Sequence, residues 1–195
     1  MKKMIMLLVI AVLMVGTTSV YGEGFGVKAG VNMASMSDFD NSKSLLGFAF
    51  GGYYSFSLSE NVEIQPEVLF SQKGVKFEET IGVFDLTESF NLTYLEIPIL
   101  FKYNFSGETL KPYVFAGPYI GLKLSAKYKR EVNGVEAPDE DLDGVKGMDF
   151  GATFGAGFAY GSISLDVRYS LGLAKVAEDG DTKNSSLSVM VGYGF

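Results

Sequence analysis

Residues 94–105 read YLEIPILFKYNF. Leu95, Ile97, Ile99, Phe101, Tyr103 and Phe105 share one parity, while Glu96, Pro98, Leu100, Lys102 and Asn104 share the other. Alternation with period two marks a strand whose two faces meet different surroundings. One face here is wholly apolar, and the other carries two charges and a proline, so a sheet buried in apolar surroundings on both sides is a poor fit. Just upstream, Phe90, Leu92 and Tyr94 are apolar on even numbers, so the phase slips by one. That slip predicts an extra residue, a β-bulge, near Tyr94–Glu96. Pro98 has no N–H to give to a ladder and is the awkward member of the run.

The same period runs through most of the chain outward from this stretch. Alternating runs cover 24–34, 46–58, 62–70, 113–128, 148–160, 162–173 and 186–195, which with 94–105 makes eight strands. Short connections are expected near Ser59–Asn61, Ser106–Leu110 and Gly161, and long polar ones at 35–43, 74–88, 129–147 and 174–184. Short turns at one end and long loops at the other are the layout of a barrel that crosses a membrane. Strands of about 10 tilted residues are long enough to cross the hydrocarbon.

Composition narrows the field. The chain has 195 residues, enough for one domain, with 24 glycines and no cysteine. It has no histidine, so the commonest general base and metal ligand is missing. Lys2 and Lys3, the apolar run MIMLLVIAVLMV at 4–15 and the segment GTTSVYG read as an export leader cut after Gly22. Twelve apolar residues make about 18 Å of helix, too short for a span. The expected division is thus 1–22 as leader and 23–195 as barrel. Without Lys2 and Lys3, 14 basic residues face 23 acidic ones, a net charge of −9. An acidic chain without a basic run does not suit nucleic acid.

A soluble barrel with its apolar face turned inward also alternates. Three features favour the membrane. The non-apolar face is rich in glycine (Gly26, Gly30, Gly47, Gly51, Gly151, Gly155, Gly157), as a narrow lumen needs. Tyr and Phe recur near strand ends, as aromatic girdles require. The last strand runs to Tyr193 and the terminal Phe195. A sheet this apolar on one face would aggregate if left open, and in lipid every N–H and C=O must be paired internally; closure meets both demands. The fold expected is all-β, an eight-stranded antiparallel up-and-down transmembrane β-barrel of the outer-membrane type.

The segments YLEIPILFKY (94–103), KPYVFAGPYIGLKLSA (111–126) and LDVRYSLGL (165–173), in that order, resemble the PorT-like, or outer membrane protein β-barrel domain, family of Bacteroidetes-type bacteria. The resemblance covers most of the chain after the leader. It implies an eight-stranded barrel in the bacterial outer membrane with a cleavable signal, and a named branch is associated with type IX protein secretion and gliding; the even strand count itself leads us to expect both termini in the periplasm. The ending VMVGYGF resembles the signal read by outer-membrane assembly machinery, with Tyr193 and Phe195 as its aromatics.

The charged residues on the non-apolar parity are Lys28, Glu63, Glu67, Glu96, Lys102, Lys123, Lys127, Asp149, Asp166 and Arg168, five acids and five bases. A narrow barrel fills its interior with side chains, and buried charges need partners, so these are expected to pair as a lumen network. With the connection centred on Gly82, Glu63 is expected opposite Lys102 and Glu67 near Pro98. The string DEDLDG (139–144) offers Asp139, Asp141 and Asp143 at calcium-loop spacing, but the twelfth position, where a bidentate Glu belongs, is Phe150. It reads as an acidic outer loop with weak divalent-cation capacity. Without a histidine, Ser and Thr lack a base; no catalytic residue and no cofactor are expected. The role expected is structural or interactive, with secretion-apparatus membership and a narrow solute channel as alternatives. The partners expected are outer-membrane lipid and lipopolysaccharide, assembly machinery and other envelope proteins.

Overall fold

The computed structural model describes residues 24–37, 42–177 and 181–195. The leader expected over 1–22 lies outside the described residues. Among those residues the strands are β1 Gly24–Met36, β2 Lys43–Ser57, β3 Val62–Ile81, β4 Phe84–Asn104, β5 Leu110–Val132, β6 Val135–Glu136, β7 Glu140–Asp141, β8 Met148–Tyr160, β9 Ile163–Gly172 and β10 Asn184–Gly194. The eight long strands pair antiparallel, each with its neighbours in the chain once the short β6 and β7 are set aside, and β1 pairs with β10 to close the ring. The start of β1 and the end of β10 lie at one rim, where the Phe195 N–H donates to the Phe25 carbonyl at 2.8 Å. The turns 58–61, 105–109 and 161–162 share that terminal rim, and the opposite rim carries the β1–β2, β3–β4, β5–β8 and β9–β10 connections.

Alternation sorts the side chains. On β1, Gly26, Lys28, Asn32, Ala34 and Met36 turn inward, while Phe25, Val27, Val31 and Met33 stay exposed on the outer wall. The outer wall of 94–105 keeps Ile99, Phe101, Tyr103 and Phe105 exposed, as the sequence reading requires. Such a surface would be an aggregation hazard in water and is at home in hydrocarbon. Inside, glycines make room for rings: a Cβ on Gly155 would lie 2.6 Å from the Phe115 ring, and one on Gly151 would lie 2.7 Å from the Tyr119 ring.

The structure corrects the sequence reading at the loop rim. The segment 74–88 is not a long loop. β3 and β4 run through it in unbroken register to a two-residue turn at Gly82–Val83, where Gly82 has φ 67°. Polar Ser71, Gln72 and Lys73 hid the strand, and the apolar residues beyond them, Val75 and Phe77, fall on the opposite parity from Val68 and Phe70. The segment 129–147 is likewise partly strand. β5 continues to Val132 and turns at Asn133–Gly134 (φ 51° and 80°) into β6. An Asn-Gly pair is a hairpin signal because both residues tolerate positive φ, and the period-two reading passed over it. This turn is tied to its neighbour: the Asn133 N–H donates to the Asp85 carbonyl at 2.9 Å, and the Asp85 N–H to Asn133 Oδ1 at 2.8 Å.

The expected bulge is found at the expected height but in the neighbouring strand. The β3–β4 ladder is in constant register, with no residue inserted in β4. Between β4 and β5 the register shifts at Thr93/Tyr94, and the extra residue is Leu124 of β5. The apparent phase slip in β4 has another cause. Leu92, Tyr94, Glu96, Pro98 and Leu100 all turn inward and are buried, so the strand keeps its phase while its surroundings change. Pro98 is accommodated where the β3–β4 pairing is interrupted between Pro66–Ile99 and Leu69–Glu96, a gap that places Glu67 opposite Pro98.

Candidate functional site: the filled lumen

Three tiers of polar side chains occupy the lumen. At the terminal rim Glu63 lies opposite Lys102 in register, with Nζ 3.4 Å from the carboxylate. Asn104 Nδ2 donates to Glu63 at 2.8 Å, and the Lys102 ammonium sits 4.2 Å from the centre of the Tyr113 ring.

Deeper in, four charges from three strands, β1, β3 and β9, form one balanced cluster. Lys28 Nζ reaches Glu67 at 2.9 Å and Asp166 at 3.0 Å. Arg168 donates to Glu67 at 2.6 Å through Nη1 and to Asp166 at 2.9 Å through Nε. Gln65 Nε2 adds a bond to Glu67 at 2.6 Å. Asp166 and Arg168 stand two apart on one strand face, as the sequence suggested. Two cations and two carboxylates share this buried site, with rings of Tyr53 and Phe115 beside Lys28 and Arg168. Such a cluster holds because each charge has its partner; removing one would leave another buried and uncompensated.

The third tier lies nearer the loop rim and centres on a residue that the sequence reading missed. Lys73 is 1% exposed, pairs with Glu96 and lies 3.6 Å from Asp149. Its Nζ also donates to Tyr119 Oη at 3.3 Å, and that hydroxyl donates to Asp149 at 3.2 Å. Asn184 Nδ2 completes the group, 3.2 Å from Asp149 and 3.4 Å from Tyr94 Oη. The parity of Glu63 and Glu67 carries straight on to Lys73, so the clue was present; ending β3 at Phe70 lost it.

Lys123 lies above this tier, its ammonium donating to the Val145 carbonyl. Lys127 is a correction. Beyond the Leu124 bulge the faces of β5 exchange, and Lys127 stands on the outside, 3.4 Å from Asp139. Among the described residues no three acidic side chains converge as a metal site requires. Asp139 is engaged by Lys127 and, at 3.8 Å, by Lys129. Asp141 lies in β7, and Asp143 is not gathered with them.

Between the second and third tiers the lumen narrows to a gap of about 10 Å³, bordered by Ser71, Thr153, Ser170, Ser186, Ser188 and Asn32. That is room for about one water molecule. Ala49, Leu69 and Met190 close an apolar contact at the same level. Over the third tier Met36, Val75, Leu92, Tyr94, Ala126 and Val176 pack as an apolar cap. Tyr193 and Phe195 lie on the outer wall at the terminal rim, their ring centres 5.3 Å apart, and Phe195 stacks on Phe25 at 5.7 Å.

The family described as "Outer membrane protein beta-barrel domain" matches residues 23–178. Comparison with curated proteins finds no match. Among solved structures the chain is similar to Neisserial surface protein A, with 16% identity, 91% of this chain and 100% of that one covered, and a TM-score of 0.48. It is also similar to the outer membrane enzyme PagL, with 17% identity, 86% and 98% coverage and a TM-score of 0.49. The attachment invasion locus protein Ail of Yersinia pestis, solved with the heparin analogue sucrose octasulfate, follows at 16% identity, 90% and 100% coverage and a TM-score of 0.42. At these identities the likeness concerns the fold.

Proposed function

Because the chain belongs to the outer membrane protein beta-barrel domain family, and so resides in the bacterial outer membrane, we propose that it serves there as a structural and interaction protein that displays its outer strands and loops to partners. The observation that carries this reading is the filled lumen. Its charges are paired tier by tier, its centre has room for about one water, and an apolar cap covers it. This reading assigns the protein neither solute flow nor imidazole-based catalysis, since the chain has no histidine.

On the same reading, residues 1–22 are a leader removed after Gly22. Tyr193 and Phe195 present the terminal aromatic signal to the assembly machinery, and outer-membrane lipid and lipopolysaccharide surround the wall. The protein displays itself to other envelope proteins. A PorT-like place in a secretion apparatus is a narrower version, supported by the segments 94–103, 111–126 and 165–173. Gentle crosslinking in outer membranes, with co-purification and a deletion strain as control, tests the proposal. Captured envelope partners and no conductance in planar bilayers are the expected result. Discrete conductance steps altered by Glu96→Gln or Lys102→Met would replace the interaction role with a narrow channel, and a block of protein export on deletion would select the secretion branch.

A further inference from the structure

Away from the loop rim, three strand pairs lose rungs of their ladder with no change of register. The interruptions lie between Tyr53–Glu67 and Phe56–Ile64 in β2–β3, between Pro66–Ile99 and Leu69–Glu96 in β3–β4, and between Pro98–Tyr119 and Phe101–Ala116 in β4–β5. A proline stands at each one: Pro66, Pro98 and Pro118. A proline has no N–H to give a ladder, so the Glu67 carbonyl across from Pro98 and the Ile99 carbonyl across from Pro118 lose that donor. The other five ladders of the ring, β1–β2, β1–β10, β9–β10, β8–β9 and β5–β8, run unbroken. The constant register sets Pro66, Ile99 and Pro118 in one row and Glu67, Pro98 and Tyr119 in the next. The interruptions thus form a single line across four adjacent strands, β2 to β5, in the lipid-facing wall.

Such a line is costly where it stands. Hydrocarbon offers no water to a backbone group that loses its partner, and a closed ring has no edge strand to which a proline could be confined. The inner side gives this arc room to move: Leu69, Glu96, Pro98 and Tyr119 all border the gap of about 10 Å³. Side chains that cross the lumen from the unbroken arc hold it in place. Lys28 of β1 and Arg168 of β9 grip Glu67 at 2.9 and 2.6 Å, and Asp149 of β8 accepts from the Tyr119 hydroxyl at 3.2 Å. Lumen contacts thus reach the arc at the rows where its ladder is thinnest.

We propose that this line is a built-in opening point of the transmembrane wall: β4 parts locally from β3 and β5 around Pro98 while the rest of the ring stays closed, and the contacts that cross the lumen to Glu67 hold it shut. The device is independent of the interaction role argued above. Amide hydrogen exchange of the barrel in phospholipid nanodiscs, resolved by residue with NMR, tests it. In the wild type, Glu67, Ile97 and Ile99 should exchange roughly tenfold or more faster than Ala156 and Val167, which face each other in the unbroken β8–β9 ladder. Pro98→Ala and Pro118→Ala each restore a donor and should each slow Ile97 and Ile99 by about tenfold. Glu67→Gln weakens the brace and should speed Ile97 and Ile99 more than Ala156 and Val167. Heat-modifiable gel migration confirms that each variant keeps the barrel. Equal protection of the two sets in the wild type, no slowing in either proline variant, or an equal rise around the ring in Glu67→Gln would each overturn the inference.

Discussion

The lipid-facing wall and the outer extension are made from the same strands and obey opposite rules. Along β4, Ile97, Ile99, Phe101 and Tyr103 point outward and Glu96 and Lys102 inward. A few residues higher on the same strand, Leu92 and Tyr94 point inward to the apolar cap, while Asn91 and Thr93 stand on the outside. The backbone keeps its phase, and only the solvent on each side has changed. In hydrocarbon the outward face must be apolar and the charges retreat to the lumen, where they pair. Above the bilayer the outward face meets water, and the apolar side chains turn inward to cover the mouth. The changeover falls at Thr93/Tyr94, the height at which Leu124 bulges out of β5, which also exchanges the faces of β5 beyond that point.

This contrast can be broken at several places. The largest effect is expected in the second tier. Glu67→Ala leaves Lys28 and Arg168 with Asp166 alone, at a cost of about 3–5 kcal/mol. Urea unfolding of the barrel in lipid vesicles measures it, and a loss below about 1 kcal/mol would show that the cluster is not dry. Next comes a matched pair of outward lysines. Val189→Lys on the lipid-facing wall should cost about 2–4 kcal/mol. Thr87→Lys on the outer extension should stay within about 0.5 kcal/mol. Equal costs at the two positions would show that the outward face does not pass from lipid into water. At the terminal rim, Lys102→Met loses a half-buried pair and should cost about 1 kcal/mol, because Asn104 still donates to Glu63.

The smallest effect lies on the extension and is read by pH. Hydrogen bonds from Lys43 and Lys76 lower the Glu78 carboxyl to about 2. Its folded value lies below its ordinary one, so whatever the pair contributes is present above the ordinary carboxylate range and disappears as pH falls through about 2. A carboxyl resonance of Glu78 that stays ionised at pH 3 in the wild type, and titrates at higher pH in Lys43→Ala, with Lys76 still beside it, is the expected NMR result. Unchanged titration in Lys43→Ala would remove Lys43 as the cause.

Much of the molecule was legible in its residues. Period-two alternation located all eight ring strands. The pairing of Glu63 with Lys102 followed from centring one connection on Gly82. Lys28, Glu67, Asp166 and Arg168 were on the right face because the membrane leaves no other place for them. The misses cluster at the loop rim. Lys73 was lost with the end of β3, the hairpin at 74–88 was read as loop, Lys127 was put inside, and the bulge was assigned to β4. All four share one cause: the pattern was read against a single outside, whereas the strands pass from lipid into water partway along.

Sequence by itself determined which residues alternate, that one face of each strand is apolar, and that no imidazole chemistry is available. Those are properties of a residue and its parity. Tertiary structure alone decided which neighbour satisfies each buried charge, that Lys73 serves Glu96 and Asp149, and that the bulge lies in β5 rather than β4. These depend on register between strands far apart in the chain, and register is fixed only when the ring closes and every lumen charge must find a partner within reach.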